Sequence, residues 1–175
     1  DARAQVWARA LRTELELGQV GAFLVWGDPA LYDSTLRILD TVTGAGLELS
    51  LEVVPGITAV QVLTAAHRIP LNTIGGAVHV TTGRRLGADA ARAQPGDTLV
   101  VMLDAGSAHA ELDGAQWDIW WGAHLGAADQ VLLAGPLALV GGQITAAKAA
   151  ARVRHGWVMD TYLLRRSSAS DLAQA

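Results

Sequence analysis

A chain of 175 residues, 51% apolar and only 17% charged, can bury a substantial core and does not have the composition of a disordered polypeptide. Its net charge is −4, and its 13 Lys and Arg are scattered, with only Arg84-Arg85 and Arg165-Arg166 adjacent. That argues against the concentrated positive surface that meets nucleic-acid phosphates.

Cys is absent, which removes disulfides, thiolate catalysis and Cys-based zinc, and fits a reducing cytoplasm. No run of about 18 apolar residues predicts a membrane span. The first residues, Asp1-Ala2-Arg3-Ala4-Gln5, lack the pattern of a signal peptide. The chain opens without Met inside a helical pattern, so a fragment or a processed product is expected.

Residues 2–17, rich in Ala, Arg, Gln, Leu and Glu, predict a helix with Val6, Ala10 and Leu17 on one face and Gly18 as its stop. Phe23-Leu24-Val25-Trp26 is an unbroken apolar run, the pattern of a strand buried on both faces, so residues 21–26 are expected in a parallel sheet. Gly27-Asp28-Pro29 ends it in a rigid bend. Asp33 or Ser34 caps the next helix, with Leu36, Leu39 and Val42 at helical spacing. Residues 47–54 predict a second strand, broken by Pro55-Gly56, and a helix runs from Ile57 to near His67. Two successive strand–turn–helix units indicate parallel βαβ architecture.

Ile69-Pro70-Leu71-Asn72 reads as a linker. Beyond it, strands are expected at 77–82, 98–103, 117–121, 130–133 and 157–164. A short helix is expected at 88–93, with a turn at Pro95-Gly96-Asp97. A long helix begins at Pro136, with Leu137, Val140, Ile144, Ala147 and Ala151 on one face. Lys148, Arg152 and Arg154 are expected to serve its C-terminal dipole. The domain expectation is 1–71 and 72–166, each α/β, with a cleft between them and a polar, disordered tail at 167–175.

Several chemistries are absent. There is no GxGxxG, GxxxxGK[ST], HExxH or GxSxG, and no shared metal site is expected among the five histidines. Asp104, Ser107 and His109 lie too close in sequence for a triad, and a helix cap is the expectation there. What remains is a pair of bends, Gly27-Asp28-Pro29-Ala30-Leu31-Tyr32 and Val53-Val54-Pro55-Gly56-Ile57-Thr58-Ala59. One unit apart on a parallel sheet, they would lie side by side at its carboxyl edge, where α/β proteins bind ligands.

In order, spacing and following linker, GDPALY and VVPGITA resemble the tetrapyrrole methylase family, the class III S-adenosylmethionine-dependent methyltransferases. The resemblance reaches to about Arg166, through Thr81-Thr82-Gly83-Arg84, Val101-Met102-Leu103-Asp104, Trp120-Trp121-Gly122-Ala123 and residues 156–164. It implies an α/β fold of two domains with a cofactor cleft between them. Family members begin with a strand ending in a glycine-rich GxGPGD-like loop. That strand is absent here, so the first domain is expected to be incomplete and the chain to be part of a longer enzyme.

The resemblance also implies a site and an activity. S-adenosyl-L-methionine would meet the backbone of Trp26, Gly27 and Asp28 with Leu31 behind them, the N–H groups of Thr58 and Ala59, and, around the adenine, Met102 or Leu103 and His124-Leu125. The carboxyl-half motifs are similar to the branch that methylates C-1 of precorrin-5, releasing acetate. Water activation for that step falls among Asp28, Tyr32 and Asp104, and Arg84 and Arg85 could pair with substrate carboxylates. The implied enzyme is a cytoplasmic homodimer without metal, nucleic acid or membrane partner. Methylation of another precorrin carbon or of ribosomal RNA, or a non-catalytic fragment, are the alternatives.

Overall fold

The structure, a computed structural model, describes residues 2–167. Their contacts part into two compact units, 1–58 and 59–175.

In the first unit two helices, α1 (Ala2–Glu14) and α2 (Thr35–Gly44), pack together. Their core is Ala4, Ala8, Ile38 and Val42, with Trp7, Leu11 and Leu47 against it. The buried stripe of α1 is thus Ala4-Trp7-Ala8-Leu11, at i, i+3, i+4 and i+7. The expected Val6, Ala10, Leu17 face is not the buried one: Val6 and Leu17 are exposed, and the helix stops at Glu14. Asp33 accepts the Thr35 N–H at 2.6 Å, and Ser34 holds the N-cap position of α2 without a side-chain cap bond.

The strands expected at 21–26 and 47–54 do not form. Leu24 is 98% and Trp26 83% exposed, and neither segment belongs to a ladder. Phe23 instead stacks on Trp7 at 4.4 Å between centroids. A strand buried on both faces needs neighbours for its N–H and C=O groups and a layer on each side. Among the described residues, this unit supplies two helices and no such neighbours.

The second unit is a five-stranded sheet in the order β1-β2-β5-β3-β4, with β1 (Val78–Thr82), β2 (Thr98–Met102), β3 (Trp117–Ala123), β4 (Val131–Pro136) and β5 (Asp160–Arg166). Only β1 and β2 are parallel. β5 is antiparallel to both β2 and β3, so β1, β2 and β3 all point their carboxyl ends to one edge. β5 begins at Asp160, later than expected, and leaves Trp157 exposed.

One sheet face packs Leu99, Val101, Ile119, Trp121, Tyr162 and Leu164 against Leu137 and Ile144 of α5 (Leu137–His155) and Leu86 and Ala90 of α4 (Leu86–Ala90). α3 (Ala59–His67) packs on β3 and β5. Its Leu63 is fully buried, and Gly122 makes room, since a Cβ there would stand 3.0 Å from Leu63 Cδ1. His67 Nε2 lies 3.0 Å from Trp121 O. These contacts group α3 with the sheet of the second unit.

The tail expected to be disordered lies, beyond Ser167, outside the described residues.

Candidate functional site

In the first unit the two bends meet. Gly27 has φ 79°, a left-handed conformation that glycine adopts freely. Asp28 then uses both carboxylate oxygens: Oδ1 accepts the Ala30 N–H at 2.8 Å, and Oδ2 accepts the Gly56 N–H at 2.8 Å. Asp28 therefore closes its own turn and clamps the Pro55-Gly56 turn onto it. The Gly56 N–H first, then the Ala30 N–H, hold its carboxyl below the usual range. Gly56 permits the approach, because a Cβ there would stand 2.0 Å from Gly27 O. A Cβ on Gly27 would lie 3.4 Å from Thr58 Cα. Trp26, Gly27, Asp28 and Thr58 are thus gathered at one place, with the Leu31 N–H donating to Asp28 O at 3.2 Å. Tyr32 leaves the bend at φ 53° and is 47% exposed.

In the second unit the sheet's carboxyl edge gathers another set. Met102 ends β2, and Leu103 follows at φ 53°, 60% exposed. His124 follows β3 at φ 50°, its N–H donating to Met159 O at 2.9 Å, with Leu125 next. Non-glycine residues at positive φ mark places where the surrounding structure enforces the backbone. Gly83, Arg84, Leu103, Ala105, Ser107 and Glu111 line an open concavity of about 590 Å³ at this edge. Arg85 instead reaches Asp89 at 3.5 Å along its own turn.

Beneath Leu103 lies a polar network that the sequence patterns do not reveal. Asp104 is buried, and its carboxylate accepts the N–H groups of Gly106, Ser107 and Ala108 and the Tyr162 hydroxyl at 2.7 Å. Burial acts to raise its pKa. The Ser107 N–H, the Tyr162 hydroxyl, the Ala108 N–H and the Lys148 charge outweigh this and hold it below the usual range. Burial, with the Asp104 charge behind it, pushes the Tyr162 hydroxyl far up, so it remains a donor.

Lys148 is buried too, contrary to its expected place at the helix end. It donates to Asp104 O and pairs with Asp160 Oδ2 at 2.8 Å, while Trp121 Nε1 donates to the same oxygen at 2.9 Å. The signal was available: Lys148 lies one residue after Ala147 and four after Ile144, inside the apolar stripe of α5. A general base near neutrality needs a carboxyl raised toward the working pH. Asp28 and Asp104 have theirs lowered and their oxygens engaged, an arrangement suited to positioning. The cap expected at Asp104 is what its three backbone contacts provide.

A family profile described as Tetrapyrrole (Corrin/Porphyrin) Methylases matches residues 2–140. The chain belongs to this family. It is 44% identical over 169 residues to precorrin-6A synthase [deacetylating] of Sinorhizobium sp., an alignment covering 96% of this chain and 64% of that protein. The chain thus spans less than two thirds of the length of this curated relative. A crystal structure from Corynebacterium diphtheriae, described as cobalamin synthesis related, is 45% identical with a TM-score of 0.89, over 95% of this chain and 70% of that one. Uroporphyrin-III C-methyltransferase of Thermus thermophilus, solved with S-adenyl homocysteine, is 17% identical with a TM-score of 0.58, over 98% of this chain and 73% of that one. At that identity it shares the fold alone. Among the described residues no helix is long and apolar enough to cross a membrane.

Proposed function

We propose that the protein to which this chain belongs is an S-adenosylmethionine-dependent C-methyltransferase of corrin biosynthesis, methylating C-1 of precorrin-5 and releasing acetate to give precorrin-6A. The observation that carries the reading is the Asp28–Gly56 clamp, which joins the two family motifs at one place. The 44% identity to a deacetylating precorrin-6A synthase supports the branch.

The residues present fit the cofactor. Trp26 and Gly27 are exposed at the bend, and Gly56, lacking a Cβ, lets the Pro55-Gly56 turn close onto Gly27 beside them. The cofactor-binding set is Trp26, Gly27, Asp28, Leu31, Thr58 and Ala59, with Met102, Leu103, His124 and Leu125 serving the adenine. Thr58 and Ala59 stand at the start of α3, where the positive end of the helix dipole favours a carboxylate. When bound, S-adenosylmethionine supplies an electrophilic methyl group. The chain's part is to hold and orient: methyl transfer depends on in-line positioning more than on proton transfer. Asp28 fixes the two bends relative to each other, and Asp104 fixes the loop that carries Leu103. Arg84 pairs with a carboxylate of the substrate. The enzyme is cytoplasmic and a homodimer, with the domain organisation 1–71 and 72–166.

The test is to supply the polypeptide of the complete gene with S-adenosylmethionine and precorrin-5 and to measure acetate and S-adenosylhomocysteine. Equimolar release of both is expected. Methyl transfer to another precorrin without acetate would overturn the branch and keep the family chemistry. The unpaired apolar segments 21–26 and 47–54 favour a second reading for this chain by itself, a non-catalytic fragment. That reading predicts no S-adenosylhomocysteine binding by the chain in calorimetry.

A further inference from the structure

The carboxyl edge of the sheet carries a second constellation. His124 follows β3, Asp129 lies in the turn between β3 and β4, and His155 closes α5. Each can offer one ligand atom such that all three atoms lie within 4.8 Å of one another. His155 Nε2 stands 3.0 Å from Asp129 Oδ2, and the rings of His124 and His155 have their centroids 4.8 Å apart. His124 Nε2 is buried and has no hydrogen-bond partner. A buried polar atom without a partner costs about 1–3 kcal/mol and calls for an explanation. Residues 124, 129 and 155 fit no metal-binding spacing, so only the fold brings them together.

We propose that His124, Asp129 and His155 form a binding site for a divalent transition metal, with Zn²⁺ as the natural occupant. Two imidazoles and one carboxylate are the borderline donor set that Zn²⁺, Co²⁺ and Ni²⁺ accept, and that Mg²⁺ and Ca²⁺, which prefer oxygen, do not. Bonds of about 2.0–2.1 Å on a tetrahedron place neighbouring ligand atoms about 3.3 Å apart. The His155–Asp129 pair already has nearly that separation. An ion accepting the lone pair of His124 Nε2 resolves the unpartnered atom.

Both sides of the site are held by backbone. The His124 N–H is fixed to Met159 O, its C=O accepts the Ala127 N–H at 3.0 Å, and the Gly126 N–H donates to Gln130 Oε1 at 2.9 Å, which shapes the turn carrying Asp129. The Gly156 N–H donates to Arg152 O at 2.8 Å and ends α5 directly after His155. The ion ties the β3–β4 turn to the end of α5. With three protein ligands it keeps one position open for water or an external donor. The site shares His124 with the proposed adenine contacts, and its test reads metal binding by the chain, which the cofactor reading does not decide.

The experiment is calorimetric titration of the chain with Zn²⁺ against a competing chelator, with Co²⁺ as a spectroscopic probe. One equivalent is expected, with the visible bands of a four-coordinate Co²⁺ site. Losing an outer-shell partner already weakens metal sites roughly 10–100-fold, so losing a ligand in His155→Ala should weaken binding by about 100-fold or more. Asp129→Asn, in an exposed turn, should weaken it as well without touching a helix, and serves if His155→Ala fails to fold. Arg154→Ala, beside the site, should bind as the parent does. No binding of Zn²⁺ or Co²⁺ would overturn the proposal and leave His155–Asp129 a plain ion pair. Binding unchanged in both ligand variants would overturn it too.

Discussion

The two units make opposite use of similar sequence patterns. Residues 98–102 and 21–26 are both short apolar runs bounded by turn residues. The first lies between β1 and β5 and is almost wholly buried; the second is largely exposed and belongs to no ladder. The difference lies in the neighbours. In the second unit every strand has a partner, helices cover the sheet, and buried polar groups such as Asp97, Asp104 and Lys148 have hydrogen-bond partners. In the first, the two bends keep their mutual geometry through one carboxylate, Asp28, without a sheet behind them. A local clamp survives without the framework; a strand does not.

The largest effect expected in breaking the second unit is at Lys148. Lys148→Met leaves Asp160 as an uncompensated buried charge and should cost about 3–5 kcal/mol in urea unfolding. The double variant Lys148→Met/Asp160→Asn should recover much of that loss. If the single variant is as stable as the parent, the network does not support the fold. Tyr162→Phe removes one donor to a charged acceptor and should cost about 1.5–3 kcal/mol, read the same way.

On the other side of the comparison, Gly56→Ala forces a Cβ against Gly27 O and must part the bends, at roughly 1–3 kcal/mol confined to the first unit. Hydrogen exchange should speed up at Gly56 and Ala30 and remain unchanged in β2 and β5. Uniform change in both units would contradict an effect confined to the first unit.

The smallest effect is acid sensitivity of the second unit. Burial lowers the pKa of His109, so the folded state declines a proton that the unfolded state takes up below the usual value of 6.5. Stability then falls as pH drops. Asp104, held below the usual carboxyl value of 3.8, contributes stability above that value that is lost as pH falls through its folded pKa. Urea midpoints should therefore decline between about pH 7 and about pH 5, and His109→Phe should remove that first decline. A flat profile in the parent would contradict the buried neutral imidazole.

What could be read in the sequence follows the same division. The stripe Leu137-Val140-Ile144-Ala147-Ala151 located α5, and Thr98 to Met102 located β2, because each element's partners are present. Residues 21–26 and 47–54 carry strand patterns of the same quality, yet pairing is a property of neighbours that periodicity does not report. The bends were legible because glycine and proline act locally. Asp28's reach to Gly56 was not, since a hydrogen bond across 28 positions has no local signature. Lys148 was misplaced because a cation near a helix end fits the dipole as readily as a buried partner. His124, Asp129 and His155 escaped notice because their meeting depends on where β3 and α5 end.

The central claim is that the Asp28–Gly56 clamp holds the wall that meets the cofactor. Hydrogen exchange of the complete gene's polypeptide, with and without S-adenosylhomocysteine, tests it most directly. New protection is expected at residues 26–32 and 53–59 when the ligand is present, and it should be lost in Gly56→Ala. Binding that leaves both segments at their ligand-free rates would contradict it.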